Sequence, residues 1–307
     1  EWQLYDGPFQ LTDAGYVHVV AKRDGWLDSN QQNFNYYSDY VKDAVTFTVD
    51  NIQYTSKRES FQNEVSVTGH SLEGEAGTID IVIPESVTYE GVNYAVTSIG
   101  GRAFWRLYAT RSVKLPSSIK TIGDEAFYDN YYLEEFEFNE GLESIGRHAF
   151  GYNWRLQTLY LPTTLKTIGN VAFNSCGQQS SEDNQIIIIP ANVTSIGNGA
   201  FQSCSKVTAV YCYATDLPET STPFDGTADH ATLYVPSSSL STYQEADCWK
   251  DFKDIQGLEH IACIPPAFTY SDYQLTMSSP TNGAAIYYTR DNTDPTTESR
   301  RYDGPIP

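Results

Sequence analysis

The chain has 307 residues, with 19 Lys+Arg against 39 Asp+Glu, a formal net charge of −20, and 40% hydrophobic and 14% aromatic content. So much apolar and ring surface excludes a disordered acidic tail, and the charge argues against nucleic acid or anionic lipid as partner, because both are polyanions. No run approaches the roughly 18 apolar residues of a membrane span, and no signal peptide or lipidation motif is visible.

The opening Glu1-Trp2-Gln3-Leu4-Tyr5 does not read as a natural start, so the chain is expected to be a piece of a longer protein. Tyr5-Asp6-Gly7-Pro8-Phe9 is followed by a strand-like run, Val17 to Lys22, and then by Asp28-Ser29. Phe47 to Tyr54 and Tyr89 to Tyr94 lead in to the elements that follow. Ile81-Val82-Ile83-Pro84 is the first of a set of short strands closed by proline, which has no N–H for a ladder.

An internal repeat then dominates. The peptide Ile-Gly-x-x-Ala-Phe begins at Ile99, Ile122, Ile145, Ile168 and Ile196, in steps of 23, 23, 23 and 28 residues. About ten residues on, each unit carries an alternating strand: Val113 to Pro116, Phe136 to Phe138, Leu159 to Pro162, Ile187 to Pro190 and Val210 to Cys212. Leu233 to Pro236 continues the series, which makes seven rungs. The longer step is explained by an insertion at Gln178 to Asp183. A unit this short cannot bury an apolar face alone, but stacked copies share one continuous core. The motif Ile and Phe are expected inside, and Gly is expected where the chain turns tightly.

The chain closes with Leu240 to Ile255, which includes Tyr243, Trp249 and Phe252. After it come Gln274 to Pro280 and Gly283 to Thr296, and then Tyr302-Asp303-Gly304-Pro305-Ile306. The last peptide repeats Tyr5 to Phe9 at an offset of 297 residues.

These residues carry two family resemblances. The repeat, with Leu133 to Phe138 and Leu156 to Leu161 as its clearest copies, resembles the BspA-like (treponemal-type) leucine-rich repeats of bacterial surface proteins. Residues 47–54 and 89–94 look like that family's N-terminal cap, and 240–255 like its C-terminal cap. The C-terminal run Gly283-Ala284-Ala285-Ile286-Tyr287-Tyr288-Thr289, with Asp294-Pro295-Thr296, resembles the small β-sandwich at the C-terminus of chitobiases and hexosaminidases. The resemblance implies a right-handed leucine-rich-repeat solenoid, with a parallel β-sheet on one face and short helical turns or loops on the other. Partial immunoglobulin-like sandwiches flank it. Residues 1–46 would be the C-terminal half of one sandwich domain, 47–259 the capped solenoid, and 260–307 the N-terminal half of a second. The two halves are expected to complement each other, with head-to-tail pairing between chains preferred.

Little points to catalysis. His18, His70, His148, His230 and His260 are scattered, with no H-E-x-x-H and no G-x-S-x-G. His148 falls in a variable slot of the motif and is expected to face solvent. Asp291 and Asp294 are explained by turn chemistry rather than calcium. Cys176, Cys204, Cys212, Cys248 and Cys263 form neither a zinc pattern nor a disulfide framework. Leu107, Asn130, Asn153, Cys176 and Cys204 are equivalent positions, and in leucine-rich repeats that slot bonds the turn backbone inside the stack. Cys176 and Cys204 are therefore expected to be buried and inert.

The surface is more informative. Tyr108, Tyr131 and Trp154 occupy one repeat position and are expected to stack as three rings on one edge, and Trp105 and Tyr128 occupy another position. On the strand face the outward residues are Val82, Lys114, Glu137, Tyr160, Ile188, Tyr211 and Tyr234, the last four an apolar strip. Cross-strand packing accounts for such neighbours on a sheet, while exposed rings in a large patch mark binding sites. The candidate ligand-binding residues are Tyr108, Tyr131, Trp154, Tyr160, Ile188, Tyr211 and Tyr234. The expected function is non-catalytic, cofactor-free adhesion by a cell-surface or secreted bacterial protein that binds a protein of the host or of a neighbouring cell. The alternatives are an accessory carbohydrate-binding region of a larger surface glycosidase, or a spacer.

Overall fold

The computed structural model describes residues 15–19, 32–36, 44–56, 63–156, 159–179, 185–258, 267–271, 274–278, 285–290, 296, 298–304 and 306. Tyr5 to Phe9, the Gln178–Asp183 insertion beyond residue 179, Cys263, Asp291 and Asp294 lie outside them.

Each coil puts down two short strands. The first is the Ser/Thr-Ile dipeptide at the head of the hexamer: Ser98-Ile99, Thr121-Ile122, Ser144-Ile145, Thr167-Ile168 and Ser195-Ile196 pair in parallel, residue for residue. Their isoleucines are fully buried. The N–H of the following glycine reaches the isoleucine carbonyl one coil back, at 2.8 Å for Gly123, Gly146, Gly169 and Gly197. This ladder continues into the N-terminal strands Val92–Ile99, Glu64–His70, Ile52–Ser56 and Thr46–Val49, with the hairpin strand Ser86–Tyr89 beside Val92–Ile99, making nine strands in all. The turns Asp50-Asn51 and Glu90-Gly91 have positive φ throughout, the geometry that matches the right-handed strand twist.

The second strand of each coil is the one expected from the alternating pattern. Ile79–Val82, Thr110–Lys114 and Glu135–Glu137 form one parallel sheet. Leu159–Tyr160, Gln185–Ile189, Val207–Cys212, Thr232–Pro236 and Asp254–Leu258 form another. The expectation of a parallel sheet on one face alone is therefore corrected. Two sides of each coil carry strands, and the longest uninterrupted sheet belongs to the hexamer. A dipeptide that ends in a β-branched isoleucine held fully inside can join a ladder although two residues show no readable alternation.

Helical turns on the opposite side are also corrected. Among the described residues the helical segments are Ser237–Ser239 and Leu240–Glu245, both in the C-terminal cap. Elsewhere the turn backbone bonds to the next coil. Phe104 N–H donates to Ala126 O, Phe127 to Ala149, Phe150 to Ala172 and Phe173 to Ala200, all at 2.7–2.8 Å. Two residues per coil take left-handed φ to allow this, Arg102, Glu125, His148, Val171 and Gly199 in one row and Arg106, Asp129, Tyr152, Ser175, Ser203 and Gly226 in the other. The motif glycine has a different reason: a Cβ on Gly169 would sit 2.5 Å from the Gly146 carbonyl carbon and 2.6 Å from Arg147 N, so the coils could not close up.

The core is a column of rings. Phe104, Phe127, Phe150, Phe173, Phe201 and Phe224 stack in sequence with centroids 5.1–5.4 Å apart and planes within 11°. Phe224 is a sixth member that the hexamer search missed. Its coil reads Glu219-Thr220-Ser221-Thr222-Pro223-Phe224, yet Phe201 N–H still donates to Pro223 O. His70 covers the first ring, and Trp249 and Phe252 lean on the last.

Candidate interaction surface

The turn edge of the coils beginning at Ile99, Ile122 and Ile145 concentrates rings and guanidinium groups. Trp105 and Tyr108 are 41% and 44% exposed, and Tyr152 is exposed as well. Arg106 lies over the Trp105 ring at 4.7 Å, a cation–π contact. Tyr108 Oη donates to Asp129 Oδ2 at 3.1 Å, and Arg106 Nε donates to the same oxygen at 3.0 Å. Burial, followed by that hydrogen bond, pushes the Tyr108 hydroxyl above its ordinary value.

Of the three rings expected to stack, Tyr131 and Trp154 do meet, with centroids 5.6 Å apart and planes tilted at 44°, whereas Tyr108 turns to Asp129 and makes no ring contact among the described residues. Tyr131 and Trp154 are both half-buried. Tyr131 Oη bonds Gln179 Oε1, while the indole N–H of Trp154 is buried with no hydrogen-bond partner among the described residues. Tyr132 and Arg155 belong to this group although the repeat position did not point to them. Tyr132 is 4.8 Å from Tyr131, and Arg155 stands 4.7 Å over Tyr132 and 5.7 Å over Tyr131.

The strand face departs from expectation at Ile188. Tyr160, Ile188, Tyr211 and Tyr234 do stand in one register row, and Tyr211 and Tyr234 stack at 4.7 Å and 11°. Tyr160 is 43% exposed, but Ile188 is only 1% exposed. A satellite apolar cluster closes over Ile188, built with Tyr213 and flanked by Ile186, Tyr211 and Leu258. Ile188 therefore cannot touch a ligand, and the row is interrupted rather than a continuous strip.

The interior slot behaves as the resemblance implies at most rungs. Asn153 Oδ1 accepts from Asn130 N–H, and its Nδ2 donates to the carbonyls of Phe127 and Phe150. The thiols of Cys176 and Cys204 donate to Phe150 O and Phe173 O, at 3.0 and 3.2 Å. Thr227 continues the ladder with a bond to Phe201 O. Leu107 and Asn130 are the exceptions: Leu107 has no polar side-chain atom, and both side-chain polar atoms of Asn130 are buried with no partner among the described residues. Burial raises the Cys176 thiol well above its ordinary value and pushes Cys204 up to about 12. His148 is half-buried rather than solvent-facing. Its ring meets Tyr128 edge-on at 5.5 Å, and burial, then Arg147, lower its pKa.

Charged residues repeat with the coil and pair between coils. Arg102–Glu125, Arg106–Asp129, Lys114–Glu137 and Lys166–Glu143 are each separated by 23 residues and lie at 2.7–3.0 Å. That spacing is readable in the sequence and was the signal that could have located the guanidinium groups. Among the described residues no group of three or more His, Cys, Asp or Glu could hold a metal ion, and no helix is long and apolar enough to cross a membrane.

The sequence matches the pattern of the BspA type leucine rich repeat region in six copies, over residues 85–179 and 179–262. Residues 265–307 match the chitobiase/beta-hexosaminidase C-terminal domain. Similar solved structures include a leucine-rich repeat protein from Bacteroides ovatus, 31% identical over 62% of this chain and 47% of that one, with a TM-score of 0.51. The chain therefore spans less than half of that protein's length. Others are the leucine rich repeat protein of T. pallidum (24% identity, 69% of this chain and 82% of that one, TM-score 0.47) and a leucine rich cell surface protein from Faecalibacterium prausnitzii (18%, 70% and 73%, TM-score 0.37). No curated protein matches the sequence.

Proposed function

This chain belongs to the BspA-type leucine-rich repeat proteins, and on that premise we propose that it is a non-catalytic adhesion protein, secreted or held at a bacterial cell surface, that binds a protein of a host or neighbouring cell. The observation that carries the reading is the turn edge, where Trp105, Tyr108 and Tyr152 stand exposed among arginines. Trp, Tyr and Arg are the residues that carry most of the energy of protein interfaces. The repeats would form a right-handed solenoid over residues 47–259 that holds this edge rigid, so that little ordering entropy is lost on binding. Residues 1–46 and 260–307 would be parts of sandwich domains, complementary between chains; the match over 265–307 supports the second.

The second reading, an accessory glycan-binding region, is favoured by that same match and by the Tyr131–Trp154 pair. Parallel arrays of extracellular matrix proteins and of glycans, probed with the full chain and with Tyr131→Ala and Trp154→Ala, separate the two. Selective capture of a matrix protein supports adhesion. Selective sugar binding lost in either variant replaces adhesion with the glycan reading, and silence on both arrays leaves the spacer role. Light scattering that finds a monodisperse monomer at high concentration would remove the head-to-tail pairing.

A further inference from the structure

Seven of the 19 basic residues fall between Arg102 and Arg155, and five of those seven are arginines. On the turn edge the two signs of charge lie at different depths. The Arg102 side chain is 69% exposed and its partner Glu125 15%; Arg106 is 48% exposed and Asp129 23%; Arg147, the second partner of Glu125, is 52% exposed. Glu125 and Asp129 lie beneath the guanidinium groups that neutralise them. Arg102 and Arg106 hold their carboxylates through Nε, and no bond from their Nη atoms occurs among the described residues. A third carboxylate, Asp124, is exposed and accepts the Arg147 backbone N–H at 2.7 Å. Solvent thus meets guanidinium ends, rings and the Asp124 carboxylate on a molecule whose net charge is −20.

We propose that this edge, formed by Arg102, Trp105, Arg106, Tyr108, Arg147 and Tyr152, docks an acidic polypeptide segment whose carboxylates span the coils beginning at Ile99 and Ile145. The inference rests on the interaction role and names the partner's chemistry. Three features support it. Arginine presents a planar fork that takes a carboxylate through two N–H donors, and at Arg102 and Arg106 that end has no bond among the described residues while the side chain is already fixed at Nε. Arg102 and Arg106 lie on the coil beginning at Ile99 and Arg147 on the coil beginning at Ile145, two strand spacings or roughly 10 Å away, within the reach of one extended segment. Charges further than about 8 Å are screened at physiological salt, so the remote acidic surface counts for little at contact, and locally the guanidinium ends stand further out than Glu125 and Asp129. A polypeptide fits better than a sugar because Arg106 already covers one face of Trp105, and open ring faces are what a sugar would stack on.

The test uses the full chain and a fluorescein-labelled glutamate–tyrosine copolymer, with anisotropy as the readout. Binding is expected at about 0.05 M salt and is expected to be lost at about 0.5 M. Arg102→Gln/Arg106→Gln should weaken it by about tenfold or more, while Lys166→Gln on another side of the coil should leave it unchanged. If the double glutamine variant melts early, Arg102→Lys/Arg106→Lys serves instead: it keeps the charge, removes the fork, and should also weaken binding. Undiminished binding in the variants, or no binding by the parent chain, overturns the proposal. Hyaluronan bound through the same arginines in place of the copolymer overturns the polypeptide assignment. A chain that captures a matrix protein yet ignores the copolymer keeps its interaction role and loses this edge as the acidic site.

Discussion

His70 lies face to face on Phe104, with 5.7 Å between ring centroids and 7° between planes, so an imidazole closes the N-terminal end of the phenylalanine column. Its Nδ1 accepts the Leu72 N–H at 3.2 Å, which requires that nitrogen to be unprotonated. Burial lowers the His70 pKa, as it does that of His148.

Stability should accordingly fall in weak acid. Below pH about 6.5 the unfolded chain takes up protons that the folded imidazoles refuse, so unfolding becomes easier until the lowered folded pKa is passed. Urea midpoints at neutral pH and near pH 5 should differ, with the acid value lower. His70→Phe keeps the stack and removes one titrating group, so its midpoint should depend less on pH; a slope as steep as the parent's would assign the effect elsewhere.

The column should fail if broken in the middle. Phe150 is fully buried and stacked between Phe127 and Phe173, and Phe150→Ala is expected to cost about 3–5 kcal/mol by removing buried surface and opening a cavity. Denaturant unfolding of Phe150→Leu should show a smaller loss. Equal losses would mean that ring stacking, not filled volume, dominates.

Val171 sits at φ 50° in the row where the next coil has Gly199 at φ 61°. A β-branched residue is strained in that region. Val171→Asn should raise stability by about 1 kcal/mol, read as a higher melting temperature with unchanged cooperativity. A lower melting temperature would show that contacts of the Val171 side chain outweigh the strain.

The buried thiols should be silent. Cys176, Cys204 and Cys212 are enclosed, and burial pushes Cys212 up to about 11. Only the thiolate reacts with alkylating agents. Iodoacetamide at neutral pH, followed by peptide mass spectrometry, should leave these three unmodified until denaturant is added. Native labelling of Cys176 or Cys204 would mean that the stack opens locally.

Some of the surface could be read in advance and some could not. Tyr131 and Trp154 share a position in a unit of fixed length, so their contact followed from counting. Tyr132 and Arg155 joined them through side-chain reach across coils, which counting does not supply. Phe224 escaped because Glu219 and Thr220 stand where the hexamer has Ile and Gly, although its ring and backbone bonds keep the period.

By itself the sequence determined the stack. A residue repeated every 23 positions must recur at the same place on each coil, so the interior column and the equivalence of Leu107, Asn130, Asn153, Cys176 and Cys204 were implied by spacing. The bonding role of that slot followed from the family resemblance, and the close approach at the motif glycine from the structure. Only the tertiary structure decided depth. Ile188 and Tyr160 hold equivalent register positions, yet one is enclosed by Tyr213, Ile186 and Leu258 while the other is exposed. Glu125 lies under Arg102 and Arg147 although all three are charged turn residues. Exposure depends on which side chains from other parts of the chain fold over a position, and those neighbours do not follow the repeat.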